Sequence, residues 1–241
     1  MQYWLVVPAA GVGRRFGDAV PKQYATIHGR TVLEWSLAPF IRDTRCSGMV
    51  IALAADDARW AKVAAKVPNV TTVTGGSTRS GSVRNALTAL SRRAQPDDWV
   101  LVHDAARPCL PSEDLDRLLS RLAFHPIGGI LAAPASDTLK ATDAPNPADT
   151  LTAASDLYMI TRTVDRSGLW RALTPQMFRY GRLCEALDSA ATAGRAPTDE
   201  SQALEWLGDR PQVVEGSAAN IKITSAADLV IAAALLAERK K

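Results

Sequence analysis

The sequence predicts an α/β fold, a doubly wound and mostly parallel sheet with a projecting β-arm. Three observations lead there. Apolar runs of four to seven residues recur without alternation, as strands buried on both faces require. Stretches with helical spacing follow most of them, the order of right-handed β–helix–β crossovers. One segment, residues 136–166, breaks that order with two extended arms around a polar tip.

Tyr3 to Val7 is the first buried strand, and Pro8 ends it. Ala9, Ala10, Gly11 and Gly13 follow, small enough for backbone N–H groups to approach a ligand closely. Arg14, Arg15 and, after Pro21, Lys22 add fixed cations. Amides that hold oxygens and cations that meet growing charge suit a polyphosphate. For the glycines alone, an ordinary strand-to-helix turn is the competing reading. A dinucleotide fingerprint fails because Phe16 stands where a third small residue is needed, which disfavours a nicotinamide-dependent oxidoreductase. The G-x-x-x-x-G-K-[ST] phosphate loop is absent.

Helical spacing over Thr31 to Ile41, with Thr31 as N-cap, precedes a strand over Gly48 to Ala54. Asp57 to Lys66 reads as a short helix stopped by Pro68, and Val70 to Thr74 as a third strand. The next loop, GGSTRSGSV from Gly75, brings Gly76, Arg79 and Ser82 to a helix start. A ligand contact and a simple loop with a serine cap both fit it. Trp99 to Val102 is a fourth strand, followed at once by His103-Asp104-Ala105-Ala106-Arg107-Pro108. A carboxylate at the carboxyl end of a buried strand can hold Mg²⁺ beside a polyphosphate, or can cap the turn. His103 is read as structural or orienting.

A helix over Ser112 to Leu122, with the capping signal Ser112-Glu113-Asp114, and a strand over Gly128 to Pro134 complete this half. The hairpin of residues 136–166, with its tip at residues 144–150, has little core of its own and needs another surface; a second subunit is the expected one. The chain resumes with GLWRALTPQMF and helices over about Arg179 to Gly194 and from Thr198-Asp199-Glu200. A short strand over Pro211 to Gly216 comes next. Asn220 to Thr224 alternates, pointing Lys222 away from Ile221 and Ile223, and Ser225 caps a last helix.

Composition limits the function classes. The 241 residues suffice for one large α/β domain or two small ones, and no linker marks off a second full domain; 47% hydrophobic content suffices for a sizeable core. A net charge of +3 argues against a general nucleic-acid binder, so any anion site is local. Cys46, Cys109 and Cys184 show neither metal spacing nor a disulfide framework, which fits a reducing cytoplasm. The first strand begins almost at Met1, so no signal peptide is expected. The longest apolar run, Leu229 to Ala237, is too short to span a membrane.

Taken together and in order, PAAGVGRRFG…PKQY, GGSTRSGSV, VLVHDAARP, TVDRSGLWRALTPQMF, TDESQALE and VEGSAANIKIT resemble the 2-C-methyl-D-erythritol 4-phosphate cytidylyltransferases of the non-mevalonate isoprenoid pathway. The resemblance implies transfer of CMP from CTP to a sugar-alcohol phosphate with Mg²⁺. It also implies a nucleotidyltransferase variant of the doubly wound fold, Rossmann-like and glycosyltransferase-A-like, in a homodimer that exchanges the arm. Carried over by residue, it places Pro8, Ala9, Ala10, Gly11 and Gly13 along the nucleotide, and Arg15 and Lys22 at the transition state. Gly76 and Ser82 would select cytosine, Asp104 would bind Mg²⁺, and Ala105 would lie by the ribose. Arg166, reaching from the partner's arm, and Lys222 would position the acceptor phosphate. Thr138, Thr174, Thr198 and Asp199 are the other substrate-site candidates. The arm tip is longer than is usual for the family, and Ser77 stands where some members carry an acid.

The chemistry needs no protein nucleophile. A phosphate monoester, already dianionic near neutral pH, attacks the α-phosphorus of CTP, and the barrier falls through positioning and charge neutralisation. The rivals are a ribitol-5-phosphate cytidylyltransferase, which tends to a more glycine-rich first loop, and a non-catalytic nucleotide-binding protein on the same fold.

Overall fold

A computed structural model describes residues 1–11, 20–143 and 158–238. It divides into two units: residues 1–132 with 172–241, and residues 133–171.

The first unit is built on a sheet whose central strands are β1 (Tyr3–Pro8), β4 (Cys46–Leu53) and β6 (Trp99–Val102). β1 pairs in parallel with both neighbours, Val6 lying opposite Val50 and Val102. All three of these valines are buried, because the sheet is covered on both faces; this is why the runs do not alternate. β5 (Val70–Thr74) extends the parallel ladder beyond β4, and β10 (Trp170–Arg179) runs antiparallel beside β6. β7 (Gly128–Pro134) and β11 (Gln212–Glu215), parallel to each other, complete seven strands in the order β11-β7-β10-β6-β1-β4-β5. The chain leaves β1 toward β4 and β5, then returns to β6 on the other side. The sheet therefore switches direction beside β1, and a crevice opens at the strands' carboxyl ends there.

The helices flank this sheet. Val83, Ala86, Leu87 and Leu90 of α3 (Arg79–Leu90) and Leu183, Ala186 and Leu187 of α5 (Tyr180–Thr192) share one core with Val6, Val50, Val100 and Val102. A second core joins Val32 of α1 (Val32–Ile41), Cys109, Ile223, and Ala232 and Leu236 of α7 (Ala226–Glu238). None of the described helices is long and apolar enough to cross a membrane.

Several local expectations need correction. Thr31 does cap α1, in a reciprocal capping box with Glu34. The helix expected over Asp57 to Lys66 shrinks to α2 (Ala61–Ala64). Asp57 instead accepts from Arg59 N at 3.1 Å and from the Tyr24 hydroxyl at 2.7 Å, which holds its segment in a turn. Pro111, not Ser112, is the N-cap residue of α4 (Ser112–Leu122). A small hairpin that the sequence reading did not name, β2 (Thr26–Ile27) and β3 (Arg30–Thr31), is turned by His28 and Gly29 at φ 48° and 78°. Residues 220–224 form no strand, because the segment beside them is the 104–107 loop and offers no ladder; Ile223 N donates once, to Ala106 O at 2.8 Å.

In the second unit, β8 (Leu139–Thr142) pairs antiparallel with β9 (Ile160–Val164), Leu139 opposite Val164. Tyr158, Met159 and Ile160 are 57%, 74% and 62% exposed. The tip at residues 144–150 lies outside the described residues.

Candidate active site

A cavity of about 630 Å³ lies at the switch point, of a size that takes a nucleotide. Pro8, Ala9, Ala10 and Gly11 from the first loop line it, with Lys22 and Gln23. Gly76, Ser77, Thr78, Arg79 and Ser82 line it from the second loop, and Asp104, Ala105, Ala106 and Lys222 from the third loop and the segment tied to it. Gly13 and Arg15 lie outside the described residues.

The first wall is fixed by the strand it leaves. Ala9 N donates to Ala52 O at 2.8 Å. Gln23, buried, donates to Ala9 O at 2.9 Å and Gly11 O at 3.2 Å. One side chain thus fastens the start of the loop to the 3₁₀ turn Lys22–Tyr24, which carries Lys22 into the cavity.

The second wall needs glycine for close approach. A Cβ on Gly75 would overlap the Ala10 side chain, and one on Gly76 would lie 2.8 Å from the Gly81 backbone. Thr78, not Ser82, caps α3, its side chain accepting from Gly81 N at 3.0 Å. The Ser82 hydroxyl accepts from Gly76 N at 3.1 Å and lies 3.0 Å from Thr78 O, which it reaches as donor. Ser82 therefore shapes the loop as well as lining the cavity.

Asp104 is the electrostatic centre. Its Oδ1 accepts from Arg79 Nε at 3.0 Å; its Oδ2 accepts from Lys222 Nζ at 3.0 Å and Arg107 Nε at 3.4 Å. Burial by itself would raise this carboxyl, but Arg79, Lys222 and Arg107 outweigh it and hold the group well below the usual carboxylate range. Lys222 is brought there by two backbone ties: Arg107 Nη1 to Asn220 O at 2.7 Å, and Ile223 N to Ala106 O. The alternation read in the sequence survives as direction: Ile223 is buried, while Lys222 faces the cavity.

His103 and Thr174 hold the same loop from behind. Asp104 N donates to Thr174 Oγ1 at 3.1 Å, Thr174 Oγ1 is 3.0 Å from His103 Nδ1, and His103 Nε2 is 3.2 Å from Arg107 O. A carbonyl only accepts, so Nε2 carries the proton and Nδ1 accepts from the Thr174 hydroxyl. Burial pushes the imidazole down to about 4, so the ring is neutral at neutral pH and its place in this chain is stable. Thr174 is buried, and its hydroxyl accepts from Asp104 N and faces His103 Nδ1. Thr174→Val is expected to lower unfolding free energy by about 2 kcal/mol, since Asp104 N–H loses its acceptor and His103 its donor. Urea denaturation checks it; unchanged stability with a raised acceptor KM would return the hydroxyl to the substrate.

Asp199 also has an internal task. It caps α6 (Glu200–Trp206), accepting from Gln202 N at 3.0 Å, and its other oxygen accepts from Gln176 Nε2 at 2.9 Å. Thr198 is exposed and bonds Gln202 Oε1 through its N–H at 2.9 Å. Neither lines the cavity within the first unit. Thr138 and Arg166 belong to the second unit, where both are exposed; Leu169 N donates to Arg166 O at 2.9 Å.

Sequence reasoning missed Gln23, Thr78 and Ala106, and treated Arg79 only as a loop cation. It also missed Glu200, whose carboxylate takes Arg79 Nη1 at 2.6 Å and Nη2 at 3.0 Å. The only local signal was a lone arginine at a helix start.

Among the described residues lining the cavity, Asp104 is the single carboxylate. Among the described residues, no group of three or more metal-ligating side chains gathers. That donor set fits Mg²⁺, which is commonly held by one or two carboxylates together with substrate phosphates and waters. Asp104 Oδ1 accepts from Arg79 Nε at 3.0 Å, and a carboxylate oxygen has a second lone pair with which it could also meet a cation.

The family model for 2-C-methyl-D-erythritol 4-phosphate cytidylyltransferase matches residues 3–238. A protein of that name from Pseudomonas fluorescens (strain SBW25) is 48% identical over 229 residues, 94% of this chain and 92% of its own length. One from Vibrio vulnificus (strain CMCP6) is 44% identical over 236 residues, 98% and 94% of the two chains. The solved structure of the Francisella tularensis 2-C-methyl-D-erythritol 4-phosphate cytidylyltransferase superposes with a TM-score of 0.78 at 33% identity, covering 98% of this chain and 100% of that one. A crystal structure of a 4-diphosphocytidyl-2C-methyl-D-erythritol synthase gives 0.81 at 38%, covering 98% of each.

Proposed function

The chain belongs to the 2-C-methyl-D-erythritol 4-phosphate cytidylyltransferase family, and from that premise we propose how its cavity carries out the reaction. The enzyme transfers CMP from CTP to 2-C-methyl-D-erythritol 4-phosphate, giving 4-diphosphocytidyl-2-C-methyl-D-erythritol and pyrophosphate, a step of non-mevalonate isoprenoid precursor formation. The observation that carries the mechanistic reading is Asp104, which lines the cavity with Arg79 and Lys222 and pairs with both and with Arg107.

An oxygen of the acceptor phosphate forms a bond to the α-phosphorus of CTP, and the bond from that phosphorus to the bridging oxygen breaks, releasing pyrophosphate. No proton need be removed from a dianionic phosphate. The work left to the protein is to hold two anions together and to spread the charge that builds on the leaving group. Pro8, Ala9, Ala10 and Gly11 admit the nucleotide closely; Gly76 and Ser82 shape the wall expected to face the base, and Ala105 the ribose side. Lys22, with Arg15, stabilises the developing charge. Lys222, 38% exposed on a flexible stem, can leave Asp104 Oδ2 for the acceptor phosphate. A bound Mg²⁺, held by Asp104 and the nucleotide phosphates, would supply further charge neutralisation.

Arg166 is the proposed acceptor-phosphate fork, contributed by a partner's arm in a homodimer. Support comes from the exposed apolar residues Tyr158, Met159 and Ile160 on that arm, which a second copy would cover. A monodisperse monomer in light scattering would count against the dimer. Arg166→Ala is expected to raise the acceptor's apparent KM about tenfold or more with CTP little changed, on the scale of a lost charged contact; an effect confined to CTP would misplace the residue. A cytoplasmic setting is proposed from the three free cysteines. The family match does not favour the ribitol 5-phosphate reading. Turnover with equal concentrations of the two acceptors tests the choice, and faster turnover with ribitol 5-phosphate would reverse it.

A further inference from the structure

We propose that Glu200 is a positioning residue for this reaction, acting through Arg79 to decide how Asp104 shares its two oxygens. The inference rests on the reading of Asp104 given above.

Glu200 is 0% exposed at the first turn of α6. Its backbone N–H and that of Ser201 both donate to Gln176 Oε1 at 3.0 Å, and Gln176 lies opposite Val102 on the strand beside β6. The helix start is thus pinned two residues from Asp104. A carboxylate taken this far from water is costly, and packing alone would be served as well by an apolar side chain. What this carboxylate does is take both terminal nitrogens of Arg79 in a fork, at 2.6 and 3.0 Å, leaving Nε for Asp104 Oδ1 at 3.0 Å.

Two carboxylates therefore divide one guanidinium unequally. With its terminal nitrogens held by Glu200, Arg79 meets Asp104 at one oxygen only, and Oδ2 stays with Lys222 at 3.0 Å and Arg107 at 3.4 Å. Without the Glu200 charge, the Arg79 fork is free to close on both Asp104 oxygens. That would compete with Lys222 and with any cation Asp104 holds.

The test compares Glu200→Gln, Arg79→Lys and the double variant, with turnover normalised to the folded fraction read from thermal unfolding. Each single variant is expected to lower kcat about tenfold, the scale for a residue that orients a reacting group's partner, with the KM for CTP within about twofold. The double variant is expected to match the singles, because both break the same fork. Arg79→Lys keeps the charge at a partly exposed position and loses the guanidinium geometry that serves Glu200 and Asp104 together, so it remains informative where Glu200→Gln fails to fold. Unchanged kcat per folded molecule, or additive losses in the double variant, would overturn the proposal. A wild-type chain without turnover would overturn the functional reading and this inference with it; an active wild type with unaffected variants would overturn only this one.

Discussion

Lys22→Ala is expected to lower turnover by about 10²–10³-fold, the usual cost of one missing transition-state donor. Lys22 lines the cavity on a turn that cannot easily drift. Tyr24 N closes the turn on Pro21 O at 2.8 Å, and Gln23 ties it to the first loop. Its charge is therefore placed before substrate arrives. Two anionic reactants and a departing pyrophosphate gain charge-sensitive stabilisation as the transition state forms, so the loss should fall on kcat more than on either KM. Steady-state kinetics with each substrate varied in turn checks this. A folded variant with unchanged turnover would remove Lys22 from the reaction.

Asp104→Asn is the second large effect. The substitution keeps the shape and removes the charge that pairs with Arg107 and Lys222 and, together with Glu200, with Arg79. Arg107 and Lys222 then face each other and the Glu200-paired Arg79 around a neutral amide. Unfolding free energy should fall by about 2 kcal/mol. That is below the about 3–5 kcal/mol of a fully buried pair, since Arg79 is 25% and Lys222 38% exposed and water screens them. Turnover should fall about 10²-fold or more, since the group proposed to hold the cation and to poise Lys222 is lost. Urea denaturation and kinetics on the same preparation separate the two effects. Full stability would contradict the charge arrangement, and full activity the proposed role.

What the sequence revealed followed local rules. The strand Tyr3–Pro8 was readable because burial on both faces leaves a continuous apolar run, and the loops after Pro8, Thr74 and Val102 because parallel strands put chemistry at their carboxyl ends. Asp104 stood out as a carboxylate two residues past the end of a buried strand. Contacts set by tertiary structure were not readable. Arg79 and Glu200 are 121 residues apart and meet only because α3 and α6 both begin at the same end of the sheet. Thr174 is a substrate-site candidate only through the motif it shares with the family; its burial and its bonds to Asp104 N and His103 depend on the fold and were not legible in the sequence. Asn220 to Thr224 imitated a strand because a buried residue and a cavity-facing one alternate with the same period of two. The helix over Asp57 to Lys66 failed at its start, where the Asp57 carboxylate is engaged by Arg59 N and Tyr24.

The most direct measurement is pyrophosphate release from CTP and Mg²⁺, with and without 2-C-methyl-D-erythritol 4-phosphate. Release that requires the acceptor and appears in equal amount with 4-diphosphocytidyl-2-C-methyl-D-erythritol is the expected result. A folded protein that releases no pyrophosphate with this acceptor, or releases it equally without one, would contradict the transfer described here.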